Sequence, residues 1–154
     1  MRRWMRVTLI AFAAILPIAA ARAGSDAAAA PEAAIVRLRA DLVFAAAPGL
    51  PEGATQALLR SDPATGGIER FVRFPAGLHI GAHWHSAGER VVVVQGSIML
   101  RIGDATKELG AGSFAWIPPR TIHEAWVDTS GATVFQIFTA TPDRRAPEEL
   151  RATK

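Results

Sequence analysis

The sequence predicts an all-β domain, a closed sandwich or barrel, behind a short helical or irregular N-terminal segment. Two observations carry this. From Ala54 onward the chain falls into apolar runs of about six residues, cut by turn residues at a spacing of roughly ten to twelve. The punctuation is explicit: Asp62-Pro63, Gly66-Gly67, Pro75-Ala76-Gly77, Gly96-Ser97, Gly103-Asp104, Gly110 to Gly112, Pro118-Pro119 and Ser130-Gly131. The runs between them predict strands near Thr55–Arg60, Gly67–Phe74, His79–His85, Arg90–Gln95, Ile98–Ile102, Thr106–Leu109, Phe114–Ile117, Ile122–Val127 and Thr133–Thr139.

The parts before and after the barrel read differently. Residues 1–23 have the three parts of a secretory signal peptide in order: Arg2, Arg3 and Arg6, an apolar stretch Val7 to Ala21, and the small-x-small site Ala21-Arg22-Ala23. The expected location is therefore periplasmic or secreted, with no stable membrane anchor after cleavage. Arg2-Arg3 hints at the twin-arginine route but lacks its surrounding pattern. Residues 24–53 form an Ala/Pro-rich segment in which Pro31-Glu32 can open a short helix to about Ala40. Residues 54–141 make the barrel domain, and residues 142–154 a charged, Pro-containing tail.

Charge and cysteine content exclude several classes of function. The chain has 17 basic and 14 acidic residues. Removing Arg2, Arg3, Arg6 and Arg22 with the signal leaves 13 against 14, a net of −1. No basic stripe remains, so nucleic acid is not an expected partner. With no cysteine there is no disulfide, thiolate site, thiol nucleophile or lipobox anchor. Tyrosine is missing as well, which excludes a tyrosine general acid.

The chemistry concentrates in four residues. Alternation along a strand puts His83 and His85 on one face and Trp84 on the other. A Ser86-Ala87-Gly88 turn lets the chain reverse and bring Glu89 back towards them. His123 lies on a later strand, with Ala125 and Val127 on its face and Glu124 and Trp126 opposite. Inward faces of a closed barrel meet on its axis. Three imidazoles and a carboxylate meeting there form a nitrogen/oxygen site for one divalent metal: Fe, Mn, Ni, Cu, Co or Zn. Four ligands on an octahedral ion leave two positions for water or substrate.

These residues also carry a family resemblance. Gly77, His83, His85, Glu89 and Gly96 match the first motif of the cupin superfamily, G-x5-H-x-H-x3-E-x6-G, without a gap. Gly112, Pro118 and His123 match the second, G-x5-P-x-G-x2-H-x3-N, with Arg120 in place of its glycine and Val127 in place of its asparagine. The segment between the motifs, Ser97 to Ala111, is 15 residues. The chain thus resembles small exported single-domain cupins of uncharacterised function. The resemblance implies a jelly-roll barrel, His83, His85, Glu89 and His123 as metal ligands, and a homodimer paired through outer sheets.

Further candidates surround this set. Arg120 introduces a side chain into a turn that cannot then rely on a glycine-only conformation, and its guanidinium can meet an anionic substrate or solvent. Gln136 lies among Phe135, Ile137, Val134 and Phe138, where a buried amide needs a partner; substrate contact and water anchor stand equal. Arg70, Met99 and Arg101 share candidate inner strands with it. Glu124 and His79 are the remaining acid/base candidates, and His79 has the strand parity of His83 although Gly81 intervenes. The function classes are a metal-dependent enzyme of dioxygenase type acting on a small molecule, a non-catalytic binding or sensing module, and a purely structural barrel. Retention of all four ligands argues against the last.

Overall fold

The computed structural model describes residues 33–152. The signal-peptide reading and the proposed helix start at Pro31-Glu32 lie outside these residues. Ala33–Ile35 are exposed and without regular structure, and belong to a leading unit separate from the one that begins at Val36. Between there and the barrel only one 3-10 turn forms, Arg39–Asp41. No α-helix runs up to Ala40: Val36 to Leu38 is irregular, and Leu38 is extended with no side-chain cap on the turn.

Eight strands follow: β1 (Ala45–Ala46), β2 (Thr55–Ser61), β3 (Ile68–Phe74), β4 (His79–His83), β5 (Glu89–Ile102), β6 (Ala105–Gly110), β7 (Phe114–Ile117) and β8 (His123–Phe138). A short helix, α1 (Pro147–Ala152), closes the described chain. All pairings are antiparallel, in the order β1-β2-β3-β8-β5-β6, with β4 on β8 and β7 on β5. No helix among the described residues is long and apolar enough to cross a membrane.

The two long strands organise the architecture. Over its first half β5 pairs with β7, and over its second half with β6. Likewise β8 pairs first with β4 and then with β3. Each long strand thus passes from one layer to the other and welds two layers into a jelly-roll barrel. Gly96-Ser97 and Ser130-Gly131, expected as turns, do not reverse the chain. Gly96 (φ +75°) and Gly131 (φ +74°) instead sit where the β5–β8 ladder shifts register, so each strand bends and continues. The remaining strand expectations hold to within a residue or two, with β4 ending at His83 rather than His85.

Between the layers lies an apolar core in which Val72, Val93 and Val134 are fully buried. β-branched residues suit these strand positions because their restricted χ1 packs well on a pleated surface. The alternation places Ile98 and Leu100 inside, so Met99 and Arg101, on the same strand, face outward.

Candidate metal centre

The site forms where β4 ends, β5 begins and β8 begins. His83 and His123 are direct cross-strand partners on β4 and β8, in one layer. Glu89 opens β5 in the other layer, opposite Ile117 and Phe138. His85 lies just beyond β4, and the bend at Ser86-Ala87 returns the chain to Glu89. All four side chains are buried. The histidine ligand nitrogens lie within 4.8 Å of one another, and Glu89 Oε2 is 3.4 Å from His85 Nε2 and 3.3 Å from His123 Nε2.

The backbone dictates the tautomers. His83 Nδ1 meets the Gly81 carbonyl at 2.8 Å and His123 Nδ1 the Thr121 carbonyl at 3.0 Å; His85 Nδ1 meets the Asp143 carbonyl. A carbonyl only accepts, so each Nδ1 carries a proton, and Nε2 is the nitrogen that each ring turns to the site. Such outer hydrogen bonds are what orients histidines that bind a metal.

Electrostatics completes the preparation. Burial, followed by the neighbouring His123 ring, pulls the His83 pKa down to about 3. Burial works against the Glu89 carboxylate, yet hydrogen bonds from His123 and His85 hold its pKa down at about 2. Burial also opposes charge on His85, but Glu89 and the Asp143 carbonyl raise its pKa overall. An ionised Glu89 beside a His83 ring that burial keeps neutral suits one cation. Nitrogen and oxygen donors on rigid strands fit a divalent transition metal.

Gln136 supports the carboxylate. Its Nε2 donates to Glu89 Oε1 at 2.7 Å, and its Oε1 accepts from Arg70 Nε at 3.0 Å. The cross-strand registers Gln136↔Arg70 and Gln136↔Val91 place it on the inner face. The amide therefore anchors a ligand, a role its buried polar character hinted at without naming the partner. Around the four ligands lies a cavity of about 50 Å³, otherwise lined mainly by apolar side chains such as Phe74, Ile80, Val91 and Leu100.

Other sequence candidates lie elsewhere. Glu124 is on the outer face, bonded to His79 Nε2 at 2.7 Å and to Arg101. His79 stacks on Trp126 at 5.1 Å. A bulge between Ile80 and His83 separates His79 from His83 despite their matching parity: Ile80 and His83 both point inward, and His79 points out. Arg120 adopts the left-handed conformation of the glycine it replaces (φ +61°), contrary to the expectation that the turn avoids it. Its backbone N–H bonding to the His85 carbonyl at 2.8 Å holds that geometry. Its guanidinium lies 5.4 Å from the centre of the Trp84 ring, and it does not line the metal cavity.

The charged tail packs on the site. Trp84 bridges Arg145 through two backbone hydrogen bonds, and its indole N–H donates to the Ala146 carbonyl at 2.9 Å. Asp143 accepts from the Ser86 N–H and hydroxyl, each at 2.7 Å, which seats its own carbonyl on His85. Nothing in the residue pattern marks a backbone acceptor 58 positions away.

Residues 70–138 match the family described as the Cupin domain. The comparison with curated proteins finds no match. Among solved structures, the chain is similar to KdgF from a Halomonas species (16% identity, TM-score 0.56, covering 66% of this chain and 91% of that one). It is similar to an RmlC-like cupin from Shewanella frigidimarina (19% identity, TM-score 0.57, 73% and 92%). It also resembles the Rhodobacter sphaeroides complex of SigE with the anti-sigma ChrR (21% identity, TM-score 0.53, 66% and 51%). With the motif residues gathered at one end of a jelly-roll barrel and the domain match covering its spine, this chain is a small cupin-domain protein.

Proposed function

We propose that this protein is an exported enzyme that holds one divalent metal on His83, His85, Glu89 and His123 and acts on a small molecule, with dioxygenase-type chemistry as the first class to test. One observation carries the reading: three histidines whose Nδ1 atoms are all committed to carbonyls turn their remaining nitrogens, with one buried carboxylate, towards a single point beside a cavity. A bound metal supplies Lewis acidity or redox chemistry there. The chain's own residues do the rest. Glu89 lowers the net charge of the loaded site, Gln136 fixes the carboxylate, and the apolar lining limits water around the reacting groups. A cavity of about 50 Å³ selects a small substrate, well below the ~300 Å³ at which drug-sized sites begin.

The test is metal analysis of the purified protein beside His123→Ala, followed by oxygen uptake with small enols, diketones and phenols. One equivalent of a redox-active metal, lost in the variant, together with oxygen consumption, supports the proposal. A metal-free protein that takes up no divalent ion overturns it. A ligand-induced melting shift without turnover makes the protein a binding or sensing module instead.

Export and pairing belong to the same proposal. N-terminal sequencing of protein from the periplasm or medium should begin at Gly24. For the partner, Phe71, Phe135, Val92 and Phe114 stand in register across β3, β8, β5 and β7 on the outer face. Phe114 and Trp116 are 60% and 42% exposed there. An apolar row of this kind marks an interaction surface and supports a homodimer. Phe114→Glu should shift the mass measured by light scattering to the monomer; a wild type that is already monomeric refutes the pairing.

A further inference from the structure

The inner wall carries a full positive charge with no anion bonded to it. Arg70 is 6% exposed. Its Nε donates to Gln136 Oε1 at 3.0 Å and its Nη1 to Gln56 Oε1 at 2.6 Å, so both acceptors are neutral amides. The Phe138 ring lies 5.6 Å from the guanidinium carbon. Glu89 acts on Arg70 through space, but its own oxygens are taken up by Gln136 and the histidines. A guanidinium stays protonated at any working pH, and burying one among neutral partners is costly. A ligand anion removes that cost.

Geometry says where the anion sits. Arg70 lines two adjoining cavities. One is the metal cavity; the other, of about 70 Å³, lies between Pro48–Leu50 and Pro142–Arg144. Leu50, Arg70, His85 and Phe138 line both. No buried side-chain nitrogen among the described residues lacks a partner, and Nη2 of Arg70 makes no hydrogen bond, so Nη2 faces open space. The outer chamber adds Arg144, whose Nη2 donates to the Gly81 carbonyl at 3.1 Å. The one carboxylate there, Asp143, is turned to Ser86 and Arg145.

We propose that Arg70 anchors the carboxylate of a small organic acid, which lies across the two chambers with its other end beside the metal ligands. A single free guanidinium edge suits a planar monoanion better than a phosphate dianion, which needs more donors. The two chambers together admit a molecule of only a few heavy atoms. The proposal deepens the substrate class of the enzyme reading and rests on it for the role of the bound acid; the anchor itself does not require the metal.

The test titrates the purified protein, as isolated and after EDTA treatment, with pyruvate, with its neutral isostere pyruvamide, and with inorganic phosphate. Binding is followed by amide chemical shifts. Pyruvate should bind at least tenfold more tightly than pyruvamide in both preparations. Arg70→Met should lose that preference, and Arg70→Lys should keep the charge but weaken pyruvate severalfold. Arg70→Lys also serves if Arg70→Met does not fold. Equal binding of pyruvate and pyruvamide, no binding of either, or Lys and Met variants that bind as the wild type does, each overturns the anchor. Phosphate binding more tightly than pyruvate overturns the carboxylate assignment. Failure of the metal reading looks different: no metal is taken up, while the pyruvate preference survives EDTA unchanged.

Discussion

Gln136 and Glu89 are bonded at 2.7 Å across the β5–β8 interface, both buried, and the bond joins a would-be ligand to a neutral amide instead of to a cation. The amide holds Glu89 Oε1 and leaves Oε2 towards His85 and His123. Gln136→Leu strands both Glu89 Oε1 and Arg70 Nε in the interior. Metal affinity should fall about 10- to 100-fold, the usual cost of losing an outer partner of a ligand. Stability should drop by about 2–3 kcal/mol, the cost of a buried group left unpaired. Competition against a fluorescent chelator measures the first and urea melts the second. An unchanged affinity would show that Gln136 does not position Glu89.

Asp143 reaches the same centre from the opposite end of the chain. Its carboxylate is held by Ser86 and Arg145, which keeps its carbonyl on His85 Nδ1. Asp143→Ala removes those bonds without touching a ligand. Metal affinity should fall severalfold through loss of His85 orientation, while global stability changes by about 1 kcal/mol, as expected for a half-exposed polar cluster. Equal chelator competition by variant and wild type would reduce the tail to a surface contact.

Two motif glycines should respond differently to one methyl group. A Cβ at Gly96 would lie 2.0 Å from the Gly131 carbonyl oxygen, against backbone that cannot yield, at φ +75°. A Cβ at Gly112 meets nothing within 4 Å, although φ is +88°. Gly112→Ala should therefore cost about 1–2 kcal/mol of backbone strain alone. Gly96→Ala should cost more than 3 kcal/mol, or leave the barrel unfolded, because strands β5 and β8 must separate there. Similar denaturation midpoints for the two variants would refute the steric account.

What the sequence made legible follows from what side-chain pattern encodes. Period-two alternation and turn residues placed the strands from Thr55 onward but not the two-residue β1 (Ala45–Ala46), too short to show alternation, and motif spacing brought His83, His85, Glu89 and His123 together. Gly96 and Gly131 read as chain reversals because a positive-φ glycine looks alike in a turn and in a bulge. The bulge after Ile80 defeated the parity argument for His79 for a related reason: one extra residue inverts the facing of all that follows. Arg120 shows that a glycine-type conformation can be imposed by a single backbone hydrogen bond, here to His85. The three carbonyls on the histidines were invisible, since any residue type supplies a carbonyl.

The stability of the metal-free protein should depend on pH in a way these contacts dictate. His83 is held at about 3 against an ordinary 6.5, first by burial and then by His123. The unfolded chain takes up this proton near 6.5 and the folded chain refuses it, so the contribution is present above 6.5 and drains as pH falls towards 3. Glu89 is held at about 2 against 4.5; burial resists this, but the His123 and His85 hydrogen bonds prevail. Its contribution is present above 4.5 and is lost as pH falls towards 2. His85 runs the other way: its pKa is raised by Glu89 against burial, so its contribution is present below 6.5 and is lost as pH rises through the folded value. At about 1.4 kcal/mol per unit, the His83 shift alone should cost EDTA-treated protein a few kcal/mol between pH 6.5 and 4, with the raised His85 acting against that loss. His83→Gln should flatten that limb while leaving the further loss below 4.5 that belongs to Glu89. Urea midpoints across pH 3 to 8 measure both, and a limb of equal slope in the variant would mean that acid acts on this barrel somewhere other than His83.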